Sequence, residues 1–216
     1  MCGRFTLHTP LDEVLAHLHL PLTDLEYVAS YNIAPTQQVV AVVMHDQPKA
    51  VLMRWGLGER RPPIINARLE SLTEKKTFRP LAENSRCLIL ADGFYEWKQF
   101  NSHKQPYYIT LSEKQPFAFA GLYQENPEVS CTIITMDARG PLQKLHHRMP
   151  VILQPDQINM WLDSVPFAQL RKSILDSPEV HLVFRQVDPI VNSPRNNGPR
   201  CIEPFEHRFE QGRLFE

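Results

Sequence analysis

The chain has 216 residues, 43% hydrophobic and 22% charged, with a formal net charge of −1, a length that buries roughly 70% of the unfolded chain's surface in one globular core. That balance excludes a strong overall field toward nucleic acid or a membrane, so any anion must be held by local clusters of Arg and Lys. No apolar run reaches the roughly 18 residues that span a bilayer, and the N-terminus lacks a signal peptide's basic and apolar segments, so a cytoplasmic protein without a membrane partner is expected.

In chain order, the first unusual residue is Cys2, directly behind Met1. Its small side chain permits trimming of Met1, which leaves an amine and a thiol on adjacent carbons. Residues 9–18, TPLDEVLAHL, read as a short helix. Thr9 can cap it, Pro10 suits the first turn and Asp12 and Glu13 favour its positive end. Asn32 and Pro35, in YNIAPTQQV, predict a structured turn before a strand. Strands are expected at 37–44, 49–55, 86–90, 94–100, 106–111, 116–123, 131–135 and 179–187, several separated by turn-rich pieces as in hairpins. Helices are expected at 67–76, 155–163 and 167–175. Residues 191–216 are polar and unpatterned and read as a flexible tail behind a single domain, 1–190. The fold class is α+β: a β-rich domain whose antiparallel, barrel-like sheet core is flanked by short helices.

The four cysteines, at 2, 87, 131 and 201, form no CxxC pair, which argues against a disulfide scaffold or zinc ribbon. Cys87 and Cys131 sit in apolar strand-like runs and read as core; Cys201 has no evident role. Beyond the 146–147 doublet and His17 with His19, which sit two apart on a helix in a poor geometry for one metal, the histidines show no ligand spacing, and no GxSxG, P-loop, GxGxxG or HExxH motif is present. No metal or cofactor is expected.

Three stretches could carry chemistry. In ADGFYEWKQF, strand alternation puts Glu96 on one face with Phe94, and Tyr95 with Trp97 on the other. A carboxylate flanked by aromatics is partly desolvated, which raises its pKa toward general acid–base use; alternatively Glu96 is an edge residue paired with Lys98 or a nearby arginine. In LHHRMPVIL, two adjacent histidines point opposite ways in extended chain, so at most one of His146 and His147 faces a given site, and Arg148 can clamp an anion or lie on the surface. Pro150 keeps Met149 out of the α region, consistent with a loop entering a strand at 151–153. In PPIINARLE, Asn66 either caps the helix that follows or aims its amide at a ligand.

Taken in order, MCGRF, YNIAPTQ, RWGL, NARLE, RCLILADGFYEW, QPYYITL, FAGLY, TIIT, LHHRMPVIL and WL resemble the SRAP family, the SOS response-associated peptidases or abasic-site processing proteins. The resemblance runs from Cys2 to about Trp161, with a weaker echo in VDPIVNSP. It implies binding to abasic sites in single-stranded DNA and a covalent thiazolidine crosslink through Cys2 once Met1 is removed, with AP-lyase activity and autoproteolytic removal of Met1 as accompanying activities. It implies catalytic roles for Cys2, Asn66, Glu96 and His146. Arg68 and Arg148 match phosphate-contacting positions and Arg4 is a third candidate; Thr135 matches an active-site position, and Pro35 and Trp55 fall on DNA-binding motifs. A monomer is expected. One departure stands out: after Trp55-Gly56 the segment is short and lacks the family's proline and tryptophans, leaving Arg60 and Arg61 as substitutes for aromatic stacking or as solvated charges. A self-processing cysteine peptidase without a DNA role shares Cys2, Glu96 and His146 and remains open at this point.

Overall fold

The structure, a computed structural model, describes residues 2–58, 62–100, 103–126 and 128–205. Its first half runs β1 (Phe5–Leu7), α1 (Leu11–His17), β2 (Ser30–Ile33), β3 (Gln38–Met44), β4 (Pro48–Trp55), β5 (Asn66–Arg68), α2 (Arg79–Asn84) and β6 (Arg86–Ala91). Then follow β7 (Gly93–Gln99), β8 (Lys104–Leu111), β9 (Phe117–Gln124), β10 (Ser130–Asp137), β11 (Arg148–Pro150), α3 (Pro155–Leu162), α4 (Phe167–Asp176) and β12 (Leu182–Gln186).

The strands form two sheets. One is ring-like: β4, β3, β6, β9 and β10 pair in succession, and β10 returns to lie parallel to β4. The near-continuous apolar runs of β3 and β6 explain their central place, because both faces of each strand are buried. The second sheet runs β12-β8-β7-β1-β2 and is antiparallel throughout.

Phe5 of β1 joins the two. It meets Trp55 at 5.1 Å and Phe119 at 5.7 Å, both edge-on. Fully burying such a ring contributes roughly 1.5–3 kcal/mol, so the start of the chain is anchored in the main core and Cys2 is carried inside with it. The alternation expected in β7 is present: Phe94 belongs to the main core, while Tyr95 and Trp97 face a second cluster with Tyr108, Val187, Val191 and Cys201.

Three expectations are corrected. Residues 67–76 are not a helix. Asn66–Arg68 instead add to β10 as a parallel strand, Ile133 opposite Asn66, and only a 3-10 turn, Leu69–Ser71, follows. The open edge of β10 satisfies those backbone groups, and tertiary pairing overrides local propensity. Thr9 does not cap α1: its N–H and hydroxyl both donate to Asp92, at 2.8 and 2.9 Å. Residues 191–205, assigned to the loose tail, pack down instead. Val191 and Cys201 are buried, and the Phe205 N–H donates to the Gln186 carbonyl. Asn side chains satisfy this segment's backbone in place of a ladder, which is why it shows no periodicity. Residues 206–216 lie outside the described residues, as do Arg60 and Arg61. No helix among the described residues is long and apolar enough to cross a membrane.

Candidate functional site

β1 runs antiparallel to β7 with Phe5 opposite Phe94 and Thr6 opposite Gly93. Extending that register sets Gly3 beside Glu96 and Cys2 beside Trp97. The Tyr95 N–H donates to the Arg4 carbonyl at 2.9 Å. Arg4 is held in turn: its guanidinium donates to Asn32 Oδ1 at 2.6 Å and to the Val191 carbonyl at 2.8 Å, and lies 5.9 Å over the Trp97 ring. Cys2 is fully buried. Burial pushes its thiol far above the ordinary value of 9.0, with the charge of Glu96 adding to the effect, so the sulfur is held as the neutral thiol.

Asn66 reaches Cys2 from the ring-like sheet. The Ile65 carbonyl just before it accepts from the Trp55 indole at 2.9 Å and from the Ile133 N–H at 3.1 Å. With its backbone fixed, Asn66 donates Nδ2–H to the Cys2 carbonyl at 2.9 Å. Its Oδ1 is buried and has no hydrogen-bond partner among the described residues.

Glu96 and His146 line one cleft of about 420 Å³ together with Trp97, Lys104 and Asn192. Glu96 is only 3% exposed, which rules out the edge-glutamate reading. Burial lifts its carboxyl from 4.5 to about 7, so both protonation states are populated near neutral pH. Of the two histidines, His146 lines this cleft, while His147 stacks on it at 4.4 Å. The Arg148 N–H donates to His146 Nδ1 at 2.9 Å. The same Nδ1 lies 3.2 Å from the Arg148 carbonyl, so the Arg148 backbone holds the ring by Nδ1 in either neutral tautomer. Burial also lowers the imidazole pKa below 6.5, so His146 is neutral at pH 7.

The remaining residues singled out in the sequence divide. Arg68 is exposed on β5 and Pro35 is half-buried in its turn. Trp55 is fully buried, its indole bonded to Ile65, so it is a core residue and presents no ring to a base. Thr135 is also fully buried, with its hydroxyl near the Ala67 carbonyl. Arg148 does not stand open as an anion clamp: its guanidinium takes both oxygens of Glu70, each at 2.9 Å, and Asp137 Oδ1 at 2.6 Å. The strand expected at 151–153 comes earlier, at Arg148–Pro150, and is what aligns Arg148 with β10. Sequence reasoning missed Asn32, Lys104 and Asn192 as parts of the site. Asn192 had one signal, its place in VDPIVNSP, and Asn32 had another, its place in YNIAPTQ, which marks it only as a turn residue; Lys104 had none. Among the described residues no group of three or more His, Cys, Asp or Glu is placed to hold a metal ion.

Known proteins share this arrangement of chain. The abasic site processing protein YoqW of Bacillus subtilis is 37% identical over 227 residues, covering 94% of this chain and 99% of that protein. The abasic site processing protein HMCES of Gallus gallus is 32% identical over 233 residues, covering 86% of this chain and 69% of that protein. A crystal structure of a Bacteroides thetaiotaomicron protein superposes with a TM-score of 0.79 at 20% identity, over 95% of this chain and all of that one. A phage-related protein of Bordetella bronchiseptica gives 0.73 at 28% identity, over 86% of this chain and 94% of that one. A family model described as SOS response associated peptidase (SRAP) matches residues 1–194, and the chain therefore belongs to the SRAP family.

Proposed function

We propose that this protein captures abasic sites in single-stranded DNA as a covalent thiazolidine on Cys2, after Met1 has been removed. The observation that carries this reading is the burial of Cys2 between Asn66 and Glu96, with His146 on the same cleft as Glu96. The relatives named as abasic site processing proteins support the substrate class.

An abasic deoxyribose opens to a C1′ aldehyde. The Cys2 α-amine adds to that carbon and water leaves, giving an iminium. The Cys2 sulfur then adds to the same carbon as its proton passes to a base, and the ring closes. Aldehyde and aminothiol thus become thiazolidine plus one water, with no oxidant or cofactor. Both nucleophiles belong to one residue, so the second attack is intramolecular, an advantage worth several kcal/mol. An α-amine with a pKa of about 7.7–8.0 is roughly 10% neutral at pH 7. The thiol is not ionised, so the order is amine first and sulfur second. The same protonation state disfavours a peptidase that attacks through a resting thiolate.

Glu96, poised near pH 7, takes the ammonium proton and returns one to the departing oxygen. His146 passes a proton to the sugar ring oxygen as the ring opens. Asn66 holds the Cys2 peptide without adding charge. Arg68 supplies a phosphate contact that reads no base. The iminium can also undergo β-elimination, which gives strand cleavage as a side reaction.

Mature protein is mixed with a single strand bearing one abasic site and run on a denaturing gel. A covalent band that withstands hydrolysis with wild type is the expected result. With Cys2→Ala, the band is expected only after borohydride trapping of the Schiff base. A stable band from Cys2→Ala, or none from wild type, overturns the reading, and intact mass shows whether the crosslinked protein has lost Met1.

A further inference from the structure

The cleft that holds Glu96 and His146 has three lining residues that the chemistry above leaves unused: Trp97, Lys104 and Asn192. Asn192 ends a 3-10 turn, Pro189–Asn192. The turn is tied down through its Val191 carbonyl, which accepts from Arg4 at 2.8 Å and from Asn32 at 3.2 Å.

The Trp97 indole N–H donates to Asn192 Oδ1 at 2.7 Å. An indole nitrogen only donates, so the amide oxygen must face it. That contact settles an orientation that an amide's shape leaves open, and turns the two Nδ2 protons away from the indole. Nδ2 has no acceptor among the described residues. Lys104 opens β8 opposite Gln99, two positions along from Trp97, which puts Lys104 and Trp97 on one face of the sheet. Lys104 is exposed and has no ion-pair partner among the described residues.

An ammonium and an oriented amide NH₂ offer charge and donors but no acceptor. A sugar hydroxyl can accept from that pair but has no charge to meet the ammonium and leaves its own proton without an acceptor there. A phosphodiester oxygen, anionic and acceptor-only, matches it. We propose that Lys104 and Asn192 form a phosphodiester subsite beside the reacting sugar, with Trp97 as the residue that positions the amide. The proposal rests on the abasic-strand reading above.

The test uses a single strand carrying a tetrahydrofuran abasic analogue, which binds but cannot crosslink, titrated against mature protein over a range of salt. Lys104→Gln is expected to reduce the slope of log K against log salt by about 0.7, the share of one phosphate contact on a single strand. Asn192→Asp keeps an acceptor for Trp97 but replaces the donors with a charged oxygen, and is expected to weaken binding at least tenfold. Methylphosphonate is then placed at each flanking linkage in turn. At the contacted linkage, wild type loses affinity and Lys104→Gln loses no more. Wild-type slope and affinity in both variants, while wild type still crosslinks a natural abasic strand, overturns the subsite and leaves the function standing. A wild type that neither crosslinks nor prefers the analogue strand removes both.

Discussion

Asn66 reaches across 64 residues of chain to give its Nδ2 proton to the carbonyl of Cys2 at 2.9 Å. That bond fixes the peptide immediately behind the proposed nucleophiles, so losing it costs orientation there. Asn66→Asp removes the donor and sets a charge near Glu96. Single-turnover crosslinking is expected to slow about 100-fold, the usual result of a small misplacement at a reacting centre, and the thermal midpoint is expected to fall as well at neutral pH, because the new carboxylate faces the Cys2 carbonyl.

Glu96 gives a stability prediction with a definite sign. Its folded carboxyl titrates at about 7 against an ordinary 4.5, because burial disfavours the charge. The folded state therefore binds the proton more tightly, and the stability linked to this group is fully present below pH 4.5 and lost as pH rises through about 7. At 1.36 kcal/mol per unit the loss is on the order of 3 kcal/mol. Glu96→Gln, which cannot ionise, should melt about 6–12 °C above wild type at pH 8. Below pH 4.5 the two should converge; a constant gap across the range would contradict the assignment.

The role proposed for His146 calls for its neutral form, which burial favours by lowering the imidazole below its ordinary 6.5. His146→Ala is expected to slow crosslinking by 10²- to 10³-fold or so, within the range for a positioned acid–base group. The ratio of wild-type to variant rates cancels the titration of the α-amine. It should be flat above pH 6.5 and shrink below it, where the imidazole takes a second proton and the neutral ring is lost.

Gly93 is a packing requirement of the same strand that carries Glu96. A Cβ there would meet the Tyr108 ring and hydroxyl at 2.3 Å, and that hydroxyl is bonded to Thr6 in the buried Asp92 network. Gly93→Ala is expected to destabilise by about 3 kcal/mol, the upper part of the range for overpacking, read as a shifted urea midpoint. Combining it with Tyr108→Ala should cost less than the sum of the two single changes.

The sequence shows some of this site plainly and hides the rest for physical reasons. Period-two alternation over Phe94–Trp97 is a local property, so four letters place Glu96 on the core side and Trp97 on the other. Which of His146 and His147 serves the cleft is not local; it depends on the Arg148 N–H that captures one ring. Arg148 and Trp55 look available to DNA in the sequence because charge and aromaticity are visible there and burial is not. Glu70 and Asp137, 78 and 11 residues from Arg148, take up its guanidinium, and a carbonyl at Ile65 lets the Trp55 indole go fully inside. The helical period at 67–76 is real, but a free strand edge on β10 claims its first residues. Asn192 lies in a segment held by side-chain amides, which leave no periodic trace.

Arg4 and the carbonyl that fixes it are separated by 187 residues. During translation the amino end leaves the ribosome long before Val191 exists, and domains fold only as their partners emerge. Until Val191 docks, Arg4 lacks the contact that ties the first strand to the Pro189–Asn192 turn. The amino-terminal strand is thus completed by a segment made late, and removing that segment is expected to loosen the first residues of the chain as well.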